Sequence, residues 1–195
     1  MELLVLGLAL FIACHMLPVF SGVRTKLRDA LGEGPYKGLF SLVSLAGLVL
    51  IVIGYGAARD AGSALIWDPP SELRHLMMLL MLPVFTLLIA ANMPGRIKAK
   101  LKHPMLVAVK LWALTHLLVN GDAASILLFG TFLVWAVIDR ISVKRRPAPA
   151  GAGEAVTVET SVANRNDAIA VVGGLGIYIV FVFWFHQMLI GVPVF

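Results

Sequence analysis

The sequence predicts an all-α integral membrane protein, a bundle of six transmembrane helices with both termini outside. Three observations lead there. First, 59% of the residues are hydrophobic and only 14% charged, with a mean hydropathy of +0.92; soluble domains run near 25% charged. One core built from 195 residues cannot hide that much apolar surface, so lipid must cover the remainder. Second, the apolar residues gather into runs near residues 3–19, 38–57, 73–92, 105–119, 123–138 and 168–190. Spanning a bilayer takes about 20 apolar residues at 1.5 Å rise each. Third, Lys and Arg alternate between the connections. Thirteen lie in the first, third and fifth loops, and only Arg59 and Arg74 lie in the others. Basic loops stay in the cytoplasm, which puts both termini outside and requires an even number of spans.

The first run has no basic stretch before it and no small-residue cleavage site after it, so it reads as a retained helix. Pro18 marks a kink near its end, because proline frees the carbonyl of Cys14. Cys14 is the single cysteine, which excludes an internal disulfide and reads as a small packing residue. Gly32, Gly34 and Pro35 end the first loop. Asp68-Pro69-Pro70-Ser71 stops the next connection and offers Ser71 as the N-cap of the third helix. Met93-Pro94-Gly95 closes that helix, and Pro104 fits the first position of the fourth. Asn120-Gly121-Asp122 makes the tightest turn, with Asp122 placed to cap the fifth helix.

Residues 1–141 thus read as a five-helix membrane domain. Residues 142–167, with the stretch Pro147-Ala148-Pro149-Ala150-Gly151-Ala152-Gly153, read as a flexible cytoplasmic linker. Residues 168–195 hold the sixth transmembrane helix, where Ala170, Gly173, Gly174 and Gly176 predict close helix packing.

Ionisable groups inside a membrane are costly, so each is a functional candidate. His15 lies near the kink of the first run. His116 lies in the fourth, one turn after Trp112 and one turn before Asn120. Neutral imidazole ligates metals and haem iron, and two imidazoles on different helices can clamp a porphyrin. Lys110, two turns inside the fourth run, either snorkels to the interface or pairs with an anion such as a haem propionate. His75, His103 and His186 stand near run ends, where solvation or packing accounts for them. No Walker, HExxH, GxSxG or CxxC pattern occurs, and no basic-aromatic surface for nucleic acid.

Several strings together resemble the NnrU family of membrane proteins. They are Lys102-His103-Pro104-Met105-Leu106, Lys110-Leu111-Trp112-Ala113-Leu114-Thr115-His116-Leu117-Leu118, and Asn120-Gly121-Asp122 followed by Ser125-Ile126-Leu127-Leu128-Phe129-Gly130. His15 followed by Ser21-Gly22-Val23-Arg24 is similar to that family's first-helix pattern. The resemblance covers residues 1–146. It implies a multi-pass protein of the bacterial cytoplasmic membrane with a role linked to denitrification.

The family is similar to 15-cis-zeta-carotene isomerase, a haem b enzyme with two histidine ligands. By that likeness His15 and His116 are the metal ligands and haem b is the suspected cofactor; Trp112, one turn before His116, and Lys110, inside the fourth run, are the expected cofactor-binding residues. One departure is plain. The isomerase has a cysteine three residues before its second haem histidine, and Ala113 stands there in this chain. The resemblance therefore implies redox or isomerase-type chemistry on a hydrophobic molecule, without that cysteine's ligand exchange. The alternative is a non-enzymatic accessory or assembly factor whose partners are nitrite and nitric-oxide reductases. Lys102-His103-Pro104 also weakly resembles the RHP element of isoprenylcysteine methyltransferases, though the tyrosine that usually follows is missing.

Overall fold

Every apolar run becomes a helix. The computed structural model describes residues 1–145, 159–192 and 194. The helices are α1 (Glu2–Met16), α2 (Ser21–Leu31), α3 (Glu33–Asp60), α4 (Leu73–Ala90), α5 (Arg96–Leu101), α6 (Pro104–Leu117), α7 (Ala123–Arg145) and α8 (Thr160–Val180). A one-turn π-helix, Phe181–Phe185, then leads into α9 (His186–Ile190). The only β pairing among the described residues is one isolated bridge between Leu65 and Asp122.

Four stretches are long and apolar enough to cross a bilayer: α3, α4, α7 and the continuous Thr160–Ile190. A fifth exists if α1 and α2, bent by 88°, count as one broken span. At 14 residues, α6 reaches about 21 Å, short of a ~30 Å hydrocarbon core. The six expected helices are therefore all present, while length and composition qualify four or five as spans. Only 17–22% of each long apolar stretch is buried inside the protein. Side chains such as Leu42, Leu45, Val52, Val134, Val172 and Ile179 face outward. Helices that carry their apolar residues on the outside have lipid as their natural solvent.

Several boundaries differ from those read in the sequence. The first helix stops at Met16 rather than Val19, because Pro18 has no N–H to give. Leu17 donates to the Cys14 carbonyl instead, at 3.1 Å, and both Val19 and Phe20 turn onto the Met16 carbonyl. The basic first loop is not a loop but the helix α2. Ser71 does not cap α4. That helix starts at Leu73 after a turn over residues 70–74, and the Ser71 hydroxyl meets the Glu72 carboxylate. Helix also enters residues 142–167 from both sides, since α7 runs to Arg145 and α8 starts at Thr160. The Pro-Ala-Gly stretch lies outside the described residues.

Contacts group the chain into two units. The first holds residues 1–68 and 120–144; the second holds 69–119 and 145–195. In the first unit α1 and α3 run antiparallel at glycine distance. A Cβ on Gly7 would stand 2.6 Å from the Ile51 nitrogen, and one on Gly47 would stand 2.8 Å from the Phe11 nitrogen. Gly54 lies against the Leu4 backbone in the same way. Small residues that let backbones touch are the usual source of helix association in lipid, where no hydrophobic drive exists between helices. The Asn120-Gly121-Asp122 turn is stitched to the α3–α4 connection. Gly121 accepts from the Ile66 N–H at 2.8 Å, and the Ala123 N–H reaches the Ala64 carbonyl at 2.8 Å.

In the second unit α4 packs on both α6 and α8. The predicted small-residue contact is there: Ala170 is fully buried, and Gly174 lies against Thr86. Tyr178 adds a hydrogen bond to the Met78 carbonyl at 2.9 Å. Met81, Val84, Leu87, Ala108 and Tyr178 form this unit's core.

Candidate functional site: two imidazoles built alike

In the last turn of α1, His15 donates from Nδ1 to the carbonyl of Phe11, one turn back, at 2.8 Å. A carbonyl can only accept, so in the neutral ring the proton sits on Nδ1 and the lone pair on Nε2. Such a hydrogen bond on the second ring nitrogen is how a ligating histidine is held in tautomer and orientation. Phe11 also stacks on the imidazole, with centroids 4.0 Å apart and planes 19° from parallel. Phe40 of α3 approaches at 5.3 Å and Trp135 of α7 stands edge-on at 5.7 Å. The Trp135 indole N–H donates to the carbonyl of His15 itself at 3.3 Å, where the ending helix supplies no donor.

Ser44 stands on α3 one turn after Phe40 and just before Gly47, the glycine that faces Phe11. Its hydroxyl oxygen is buried and has no hydrogen-bond partner among the described residues. Leaving such a group unmade costs about 1–3 kcal/mol. A polar atom of a bound molecule would remove that cost.

His116, in the last turn of α6, repeats the device. Its Nδ1 donates to the Trp112 carbonyl at 2.8 Å, and the Trp112 ring lies 5.4 Å away, tilted by 50°. His116 is only 9% exposed. Beside it Thr115 is fully buried, with its hydroxyl within reach of the carbonyls of Leu111 and Trp112 and of the Met81 sulfur. Lys110 is half-buried and forms no ion pair among the described residues. Ala113 is fully buried, so the position holds a packing residue.

His15 thus belongs to the first unit, with Phe11, Phe40 and Trp135. His116, Trp112 and Lys110 belong to the second. His186 lies at the end of the π turn that follows α8. It is half-buried, donates from Nδ1 to the Val192 carbonyl at 2.8 Å and meets Phe181 edge-on at 5.9 Å. The π turn of Phe181–Phe185 just before it is invisible to helical periodicity. An apolar groove of about 360 Å³ runs along α8 onto this turn, lined by Gly173, Gly176, Ile177, Val180, Phe181 and Phe185. His75 is exposed on the first turn of α4, and His103 precedes α6 at its N-cap.

Asp122 does cap α7, as its position in the turn predicts. Oδ1 accepts the Ser125 N–H at 3.1 Å and Oδ2 accepts the Ser125 hydroxyl. Burial pushes this carboxyl up, but the Ser125 hydroxyl and N–H and the Ser63 hydroxyl outweigh it, and the group titrates below the ordinary carboxylate range. Tyr55 of α3 joins the network through Ser125 at 2.8 Å.

Among the described residues no three His, Cys, Asp or Glu side chains converge. The arrangement offers single imidazoles in apolar, aromatic surroundings. That does not suit a metal ion needing a full cage of protein ligands. It fits a porphyrin, which brings four nitrogens of its own and asks the protein for one or two.

No curated protein and no solved structure matches the chain. The family described as NnrU protein matches residues 3–194, reaching well beyond the residues that carried the resemblance and through the last helix. The chain belongs to the NnrU family.

Proposed function

We propose that this NnrU-family protein is a six-span, haem b-binding protein of the bacterial cytoplasmic membrane, with both termini outside. In this reading it carries out redox or isomerase-type chemistry on a hydrophobic molecule. The observation that carries the reading is the common build of His15 and His116, each with Nδ1 committed to an aromatic residue's carbonyl and Nε2 bearing the lone pair. These two imidazoles would hold the haem iron, and the buried Ser44 hydroxyl, unpartnered among the described residues, and the aromatic side chains around His15 support a bound group there. Trp112 holds His116 in register through its carbonyl, and Lys110 would pair with a propionate of the bound haem. Bound haem supplies a one-electron centre. The chain's own part is to hold both Nδ1 protons, to keep water from the iron with Phe11, Phe40 and Trp135, and to admit an apolar substrate from the lipid.

The test is an absorption spectrum of detergent-purified protein, oxidised and then dithionite-reduced, with iron quantified beside it. The reading expects a Soret band, sharp α and β bands on reduction, and loss of low-spin character in His15→Ala and His116→Ala. The same measurement on His186→Ala decides whether that histidine takes part. A featureless spectrum after haem-supplemented expression would sink the proposal. The accessory reading, assembly of nitrite and nitric-oxide reductases, would then stand first, with pull-downs from a denitrifying membrane as its check.

A further inference from the structure

The bend after α1 creates a surface unrelated to the histidines. α2 contains Val23, Leu27, Ala30 and Leu31, yet no residue of it is buried. Val23 is 51% exposed and Leu31 43%, and Phe20 just before the helix is 56% exposed. At about 100° per residue, these four apolar side chains fall in one arc roughly 100° wide. Arg24 and Arg28 border the arc on one side and Lys26 on the other, while Thr25 and Asp29 lie opposite. Glu33 engages Arg28 at 3.5 Å and so ties α2 to the start of α3. Arg24 and Lys26 have no such carboxylate among the described residues.

Orientation completes the argument. α1 is apolar on every side, and α2 leaves it at 88°. With α1 along the membrane normal, a helix at a right angle to it runs along the membrane plane. There its apolar arc meets the acyl boundary, and its flanking bases meet the headgroups. We infer that α2 is an interfacial helix that docks on an anionic phospholipid surface, with Val23, Leu27 and Leu31 in the acyl boundary and Arg24 and Lys26 on lipid phosphates. The acidic Asp29 points to water.

The test uses the full chain in a Cys14→Ala background. A polarity-sensitive fluorophore is placed in turn at Val23→Cys, Leu27→Cys, Thr25→Cys and Asp29→Cys. The protein is reconstituted in phosphatidylcholine vesicles with or without phosphatidylglycerol, and quenching by doxyl-labelled lipid is read. Positions 23 and 27 are expected to show blue-shifted emission and lipid quenching, and positions 25 and 29 neither. Equal exposure at all four overturns the inference. So does shielding of 23 and 27 without lipid quenching, which would mean that another protein surface, a second copy included, covers the arc. The Arg24→Gln, Lys26→Gln double variant removes only exposed charge. It should cut the preference for phosphatidylglycerol over phosphatidylcholine by up to about 25-fold, at roughly fivefold per basic residue. An unchanged preference would refute the anionic partner. None of these readouts involves haem.

Discussion

The imidazole of His15 lies flat on the ring of Phe11 while its Nδ1 donates to the carbonyl of the same residue, so Phe11 sets both the plane and the tautomer of that histidine. The main-chain bond survives a change of side chain. The ¹⁵N spectrum of histidine-labelled protein should therefore show His15 and His116 as Nδ1–H tautomers, and Phe11→Leu should keep the tautomer of His15. The lost stacking should cost about 0.5–1.5 kcal/mol of stability in detergent. An Nε2–H signal for either residue would contradict the ligand assignment.

Ser44 carries a buried hydroxyl with no partner among the described residues. Without a bound molecule, Ser44→Ala should leave stability unchanged or raise it by about 1 kcal/mol. With haem present the same variant should bind it more weakly. Thermal melts of both forms, run side by side, check the sign change.

Gly54 touches the backbone of Leu4, whereas Gly56 on the same helix has open space around it. Gly54→Val should force α1 and α3 apart at a cost of about 3 kcal/mol or more, since no flexible side chain is there to yield. Gly56→Val should be near neutral. Gel-filtration profiles and melting temperatures of the two variants separate the outcomes.

Asp122 titrates below its ordinary range in the fold. A depressed carboxyl contributes stability that is fully present above the unfolded value near 3.9 and fades as pH falls through the folded value. Melting temperature should thus decline on acidification below about pH 4, and Asp122→Asn should flatten that decline. Asp122→Ala should cost about 1–2 kcal/mol at neutral pH, as expected for a lost helix cap.

Asp167 of α8 accepts the N–H groups of Arg96 at 3.0 Å and Ile97 at 3.2 Å, while Asn166 donates to the Pro94 carbonyl at 2.6 Å. Asp167→Ala should leave the first turn of α5 without its cap and cost about 1 kcal/mol. Hydrogen exchange at residues 96 and 97 should accelerate, with the α4 core unaffected.

What was legible locally and what was not divides along one line. The sequence by itself determined the membrane class, the helical nature of the six apolar runs, the Asp122 cap and the Gly174 contact. Each of these depends on composition, on the period of one helix or on a turn within a few residues. Pro18 announced a break, but not a bend of 88°, and the helical nature of Ser21–Leu31 was hidden beneath its charges. Only the tertiary structure decided where Asp167 points, which residues ring His15, and that His186 meets Phe181 and the Val192 carbonyl. Those facts arise from pairings between residues tens of positions apart, whose geometry is chosen by close helix packing and by the need to satisfy every polar group in an apolar solvent.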